Sequence, residues 1–353
     1  QFGQKAQVTY NGYFGYKKIF APYPMMNGPE FVALRTFANK YTNGVDESND
    51  VNTDWQGMFY KTGMVTSHNL GLSGGTDKGN YSFALGYLRD EAVIPEQNFN
   101  RYSLHGSIDQ QIGKYFRFGF TTRDNYSVNN GANFGGLYSV LSTSAIANPY
   151  NTDGSLKRTV KMPLDENWVY TRKNMAALGD SWADKAIAYG SYNSMYGEVK
   201  VPGIEGLKYR MNLGLNFRMT NTGSYTGQGI FSVNPATVST ASIGNSLTTN
   251  WAIENLLSYD HIFAGKHQIN LVAMYSAEKS HFNSSLISAK DIPSDDFQYF
   301  NLGRAEGEKT IDPAYQGYWE RGLMSWMGRA MYSYNDRYMI TATVRSDGSS
   351  VLA

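Results

Sequence analysis

The chain has 353 residues, 41% of them hydrophobic, so it is long enough to bury a large core. A formal net charge of +1 excludes a polybasic nucleic-acid binder, and the absence of cysteine excludes disulfides and thiolate metal centres. No apolar run reaches about 18 residues, which excludes a transmembrane helix but not barrel strands, whose hydropathy signal is far weaker.

Aromatic residues make up 14%, including 27 Tyr, and with 36 Gly they point to β structure. Ala6–Tyr16 reads as a first strand, with Val8, Tyr10, Gly12 and Phe14 on one face. A long excursion follows from Lys17 to about Met64. Within it, Asn27 is placed to cap a helix over Pro29–Tyr41 that aligns Phe31, Leu34 and Ala38. Thr53-Asp54-Trp55 opens a second helical turn that stacks Trp55 on Phe59.

His68 to Tyr126 reads as four amphipathic strands, with tight turns at Gly74-Gly75-Thr76-Asp77 and Ile112-Gly113-Lys114-Tyr115. Tyr81, Phe83, Leu85 and Tyr87 alternate there with Asn80, Ser82, Ala84 and Gly86. Phe116, Phe118 and Phe120 alternate with Arg117, Gly119, Thr121 and Arg123. A period of two puts each set on its own face of a sheet. A loop from Asn129 to Gly190 carries Trp168, Tyr170 and Trp182. Strand six (Tyr192–Val201) turns at Pro202–Gly206 into strand seven, where Tyr209, Met211, Leu213, Leu215 and Phe217 alternate with Arg210, Asn212, Gly214, Asn216 and Arg218. Beyond a loop at Thr222–Thr248, strands eight and nine flank Phe263-Ala264-Gly265-Lys266. A loop at Phe282–Gly322 leads to strands ten and eleven around Tyr334-Asn335-Asp336-Arg337.

An apolar face built from Tyr and Phe, set against a face of Gly, Ser, Arg and Asp, is the alternation of an outer-membrane barrel. Short turns also alternate with excursions that are nearly all long, the exception being Asp90–Asn98. Compact soluble domains rarely hold such loops, whereas outer-membrane barrels have short periplasmic turns and long extracellular loops. The expected fold is therefore all-β: an antiparallel transmembrane barrel with about eleven strands in this chain. Lipid cannot satisfy an open strand edge, so a stable wall must close.

Several segments resemble a known family. His68-Asn69-Leu70-Gly71-Leu72-Ser73-Gly74-Gly75, Gly86-Tyr87-Leu88 and Asn100-Arg101-Tyr102-Ser103-Leu104 are similar to the barrel of SusC/RagA-type TonB-dependent transporters. So are Asn52-Thr53-Asp54-Trp55-Gln56 and the stretch from Asp336 to Ser350. The resemblance covers essentially the whole chain. It implies a barrel of about 22 strands with an N-terminal plug, importing a glycan or oligopeptide across the bacterial outer membrane. The implied partners are a SusD-like surface lipoprotein, a TonB complex engaged through a region before Gln1, the lipid bilayer, and a dimer of transporter–lipoprotein pairs. On that reading residues 1–353 form the N-terminal half of the barrel, and both chain ends are cuts within a longer polypeptide. The alternatives are a passive porin or adhesin-type barrel without energy coupling, and a soluble carbohydrate-binding β-domain.

Enzyme motifs are weak. Gly71-Leu72-Ser73-Gly74-Gly75 matches a nucleophile elbow, but an elbow needs a following helix and Ser73 precedes a hairpin. Ser276-Ala277-Glu278-Lys279 and Lys61-Thr62-Gly63 match β-lactamase fragments in the wrong order. Asp50-Val51-Asn52-Thr53-Asp54 opens like a calcium loop, yet Trp55 and Lys61 stand where Gly and Glu are required. The histidines at 68, 105, 261, 267 and 281 form no ligand pair and read as lumen or loop residues. No enzyme activity, cofactor or metal is expected. Arg101, Asp109, Arg117, Arg123, Arg210, Arg218, Glu254, Arg329 and Arg345, together with Asp124, Glu198 and Asp260, are expected on the lumen face. There they either handle a polar or anionic solute or hold a plug through paired charges. Trp55, Trp168, Tyr170 and Trp182 are candidates to stack on a substrate, or to pack the loops onto a lid protein.

Overall fold

The structure is a computed structural model and describes residues 5–39 and 42–352. Strand β1 (Gln7–Lys17) is followed by helices α1 (Gly28–Ala38) and α2 (Trp55–Phe59). Next come β2 (Gly63–Thr76), β3 (Gly79–Glu91), β4 (Asn98–Ile112) and β5 (Phe116–Asn130). The long loop after β5 holds α3 (Leu137–Ser142), a small hairpin of β6 (Thr159–Lys161) and β7 (Glu166–Trp168), and α4 (Arg172–Ala176). The wall resumes with β8 (Trp182–Lys200), β9 (Leu207–Thr226), β10 (Thr240–Phe263) and β11 (His267–Lys290). Short β12 (Lys309–Ile311) pairs with the end of β11, ahead of β13 (Gly317–Tyr334) and β14 (Tyr338–Ser349). Eleven long strands thus form one antiparallel meander, in which each wall strand pairs with the next one along the chain.

The register sets the tilt. From Gly79, where β3 leaves its turn, the directly opposed residues on successive strands are Gln110, Phe118, Gly197, Met211, Asn255, Tyr275 and Trp326. On β13 the turn end, Tyr334, lies eight residues past Trp326, a descent made over seven strand-to-strand steps. With a rise of about 3.3 Å per residue and a spacing of about 4.8 Å, turn ends in one plane require a strand tilt of about 38°. That lies within the range for transmembrane barrels, and each residue then climbs about 2.6 Å along the barrel axis.

The two faces separate cleanly. Paired residues such as Leu72 and Phe83, Leu85 and Leu104, and Leu213 and Ile253 put the aliphatic side chains on one face. Two aromatic belts border it. Phe116, Tyr209, Phe263, His267, Tyr334 and Tyr338 lie within two residues of the short turns. His68, Tyr87, Tyr102, Tyr126, Phe217, Tyr275 and Trp326 lie eight to ten residues further up. At about 2.6 Å per residue the belts are about 21–26 Å apart, the height of a barrel's apolar band. Neighbouring rings touch in the upper belt, with centroids 5.1 Å apart for Tyr87–Tyr102 and 5.6 Å for Tyr275–Trp326.

Three sequence expectations need correction. Asp124 is on the apolar face, because side chains alternate and Arg123 already takes the polar one; it accepts hydrogen bonds from Thr122 Oγ1 (2.8 Å) and Tyr189 (3.3 Å). His68, His261, His267 and His281 share that apolar face, leaving only His105 on the polar side. His68 and His267 sit in the belts, each 2.7 Å from a tyrosine hydroxyl, Tyr10 and Tyr332. The long loops are also shorter than expected, because β8 starts at Trp182, β10 at Thr240 and β13 at Gly317, while β11 runs on to Lys290. These extensions rise above the apolar band, where neither face meets lipid, so the alternation that marks a strand fades.

Helix α1 has the expected cap: Asn27 Oδ1 accepts from the Glu30 N–H, and Glu30 Oε2 accepts from the Asn27 N–H. It closes at Ala38 with Asn39 in the left-handed region (φ 48°); the expected end at Tyr41 lies outside the described residues.

Candidate functional site

The polar face of the wall carries a continuous network near the short-turn end. Asp109 (β4), Gly119 (β5) and Tyr196 (β8) lie on one register row. A side chain at Gly119 would collide with the Tyr196 ring, since a Cβ there would be 2.1 Å from Cε1. The bare backbone lets the ring lie across β5, so that its hydroxyl donates to Asp109 Oδ2 at 2.5 Å. Arg117 Nε donates to the other oxygen of Asp109 at 2.9 Å. The Arg210 guanidinium lies 3.8 Å over the Tyr196 ring. It donates through Nε to Asn212 Oδ1 (2.8 Å) and reaches Glu198 at 3.6 Å. Asn212 in turn donates to Glu254 at 3.2 Å. On β14, Arg345 pairs with Asp347 at 2.9 Å.

A second group of arginines behaves differently. The register puts Arg101, Arg123, Arg218 and Arg329 on this same face, all exposed. None of the four makes an ion pair or hydrogen bond among the described residues. Asp260 also faces this side and accepts from Asn270 at 3.4 Å.

The loops above the wall are packed rather than loose. Trp55, Trp168, Tyr170 and Trp182 come together around Phe59, Phe134 and Phe231. Trp168, Tyr170 and Trp182 each pack on Phe231, with centroids 5.2, 5.4 and 5.7 Å away. Trp55, Trp168 and Tyr170 are buried, at 6%, 8% and 8% exposure, so their faces are already covered. Burial pushes the Tyr170 hydroxyl up to about 12. Trp55 Nε1 donates to the Ser144 carbonyl at 2.8 Å, tying the first loop to the loop after β5. Arg158 donates to the carbonyls of Gly229, Ser232 and Val233, which adds the β9–β10 loop. Glu47 has a fully buried carboxylate and takes both Arg35 Nη1 (2.6 Å) and Nη2 (2.9 Å). Burial alone would raise its carboxyl, but hydrogen bonds from Arg35, the Gly44 N–H and Ser144 outweigh that and hold it below the usual carboxylate range.

The accessible rings on the polar face are others, which sequence reading passed over. Tyr192 stands opposite Arg123 and is 46% exposed. Trp319 stacks on Phe282 at 5.8 Å, with the Arg321 guanidinium 4.8 Å over its ring. Both rings lie on the register row of Arg218. The period-two signal was present at Tyr192, but it reads as apolar face unless the strand is phased from its neighbours.

The enzyme-like motifs take structural roles. Ser73 lies inside β2, opposite Gln7 and Ser82, and the chain runs on into β3 with no helix. Asp54 caps α2 by accepting the Gly57 N–H at 2.8 Å, and Asn52 accepts the Gly28 N–H at 2.8 Å.

No family model matches the chain. It is 27% identical over 345 residues to TonB-dependent receptor P3 of Formosa agariphila, covering 92% of this chain and 32% of that protein. It is 24% identical over 387 residues to TonB-dependent receptor SusC of Bacteroides thetaiotaomicron, covering 99% of this chain and 35% of that protein. The chain spans about a third of the length of these curated relatives. Among solved structures, the RagAB peptide transporter superposes with a TM-score of 0.75 at 17% identity, over 99% of this chain and 43% of that one. The same importer in its 'open-open' state gives 0.73 at 18% identity, over 99% and 42%. Sequence and fold together show the resemblance to SusC/RagA-type TonB-dependent outer-membrane transporters, of which this chain corresponds to a stretch of antiparallel barrel wall.

Proposed function

We propose that residues 1–353 are the N-terminal half of the barrel of an active importer in the bacterial outer membrane. The importer takes up a nutrient, a glycan or an oligopeptide, on energy delivered by a TonB complex. The observation that carries this reading is the two-sided wall. Its aliphatic face is bounded by aromatic belts about 21–26 Å apart, and its other face is polar, with charges paired along the short-turn end. The curated relatives are named receptors of the TonB-dependent kind rather than enzymes, which supports energy-coupled uptake over catalysis.

The packed loops give the wall a rigid crown on which a SusD-like lipoprotein can sit, and pairs of transporter and lipoprotein can dimerise in the membrane. Uptake of labelled oligosaccharides and oligopeptides by cells making the whole protein tests the proposal. Collapse of the proton-motive force should abolish uptake. Uptake that survives a protonophore would make the barrel a passive porin.

A further inference from the structure

Among the described arginines of the polar face, two near the short turns are paired and three further up the wall are not. Arg117 and Arg210 are half-buried, lie within three residues of the short turns, and are neutralised by Asp109 and Glu198. Arg101, Arg123 and Arg218 are exposed and unpaired among the described residues. They stand eleven, seven and ten residues above the Ile112, Phe116 and Lys208 turn ends. That is about 29, 18 and 26 Å up the wall, towards the mouth. Across the register their Cα atoms form a triangle with sides of about 12, 14 and 16 Å. The floor between them combines small residues, Ser103, Asn125, Ser127, Ala188 and Gly190, with the Tyr192 ring lying against Gly190. Three long cationic side chains can therefore lean towards a common occupant beside the Tyr192 ring.

The carboxylates of this face do not fill that role. Asp90, beside Arg101, is paired with Lys17. Asp184, above the triangle, accepts from the Asn133 N–H and side chain at 2.7 and 3.0 Å. Glu254 is held by Asn212, and Glu278 is two strands away from Arg218, on β11. The exposed ring of Tyr192 lies in the same area, opposite Arg123. An unpaired, exposed guanidinium is a fork-shaped donor matched to carboxylate or sulfate oxygens.

We propose that Arg101, Arg123 and Arg218 form an anion-selecting subsite at the mouth of the barrel, which takes solutes bearing carboxylate or sulfate groups. The proposal rests on the importer reading above and adds a substrate class to it. A single charge engages one corner, whereas an oligomer with charges spaced along its length engages two or three. In the paired network below, Arg117 and Arg210 are already engaged by Asp109 and Glu198 and take no part in this selection.

The test uses the whole transporter in detergent, with calorimetric binding of two matched probe pairs. One is an oligogalacturonate against its methyl ester; the other is a hexa-aspartate peptide against hexa-asparagine. The wild type should bind the acidic member of at least one pair roughly tenfold tighter at low salt, with the gap closing as salt rises. Which pair shows the gap tells saccharide from peptide. The triple Arg101→Gln, Arg123→Gln, Arg218→Gln variant should lose the gap, the acidic probe falling to the affinity of its neutral partner, and the triple Lys variant should restore part of it. A wild type without preference overturns the proposal, as does a Gln variant that keeps one. So does a Gln variant that keeps the preference while becoming leaky to large antibiotics, because the arginines would then be holding a plug. Should the Gln variant not fold, the salt dependence of the wild type and the Lys variant decide between the same outcomes. Failure of the importer reading shows separately, as uptake indifferent to proton-motive force, and needs no binding preference to be seen.

Discussion

A single carboxylate illustrates how the loops are held. Glu47 is buried with two hydrogen bonds from Arg35, so the ion pair joins α1 to the rest of the first loop. Its carboxyl is held below an ordinary value of 4.5, so the unfolded loop binds a proton more readily than the folded one. The pairing therefore stabilises fully above that ordinary value and is lost as pH falls through the lower, folded one. Protection of the first loop from a broad-specificity protease should be flat from neutral pH down to about 5 and collapse in stronger acid. Glu47→Gln should weaken loop docking by about 2 kcal/mol at neutral pH and flatten the acid dependence. An unchanged acid limb in the variant would assign that limb to another group. Gly119 is the second telling residue. Gly119→Val should push the Tyr196 ring off β5 and break its bond to Asp109, visible as a changed Tyr196 environment by NMR. A Val variant with the wild-type Tyr196 signal would show that the ring does not need the bare backbone.

At the scale of elements, the strands and the loop crown carry different energies. Leu213 lies on the apolar face of β9, five residues above Lys208, or about 13 Å up the wall and near the middle of the band. Leu213→Arg should cost roughly 2–4 kcal/mol of membrane insertion, whereas Asn212→Arg, on the polar face between Tyr196 and Glu254, should be tolerated. Equal cost for the two in a folding titration into lipid vesicles would invert the assigned faces. The crown instead depends on packing. Phe59 is fully buried between Tyr60 and Phe134, and Phe59→Ala should destabilise the loop cluster by about 3–5 kcal/mol. Hydrogen exchange should then quicken in α2 and α4 while β8 and β9 stay protected. Exchange that quickens equally in the strands would mean crown and wall unfold as one unit.

For the whole molecule, parity governs sidedness. In an antiparallel meander every second connection returns to the same side. The turns after β2, β4, β8, β10 and β13 share one end, and the loops after β1, β3, β5, β9 and β11 share the other. The chain has no cysteine, so single introduced thiols report cleanly. Thr237→Cys, in the β9–β10 loop, should be labelled by an impermeant reagent on intact cells, and Lys266→Cys, in the β10–β11 turn, should not. Lys266 is preferred to Gly265, whose φ of 67° would strain any side chain. Labelling of position 266 from outside would reverse the direction of transport proposed here.

The order of strands and their apolar face were decided locally. Period-two runs such as Tyr209 to Phe217 can only form a two-faced strand, and turn residues such as Ala264-Gly265 mark where it reverses. The capped start of α1 and the Trp55–Phe59 turn follow from equally local chemistry. Local pattern failed where a residue's surroundings come from distant chain. Asp124 and four of the five histidines needed the cross-strand register to be put on a face, since polar residues carry no phase of their own. Trp55 lies far along the chain from Trp168, Tyr170 and Trp182, and only the meeting of three loops packs them together. The same holds for the arginines. Nothing in the sequence near Arg117 or Arg123 says that one is neutralised and the other has no partner among the described residues, because Asp109 and Tyr196 reach Arg117's neighbourhood only through the pairing of β4, β5 and β8.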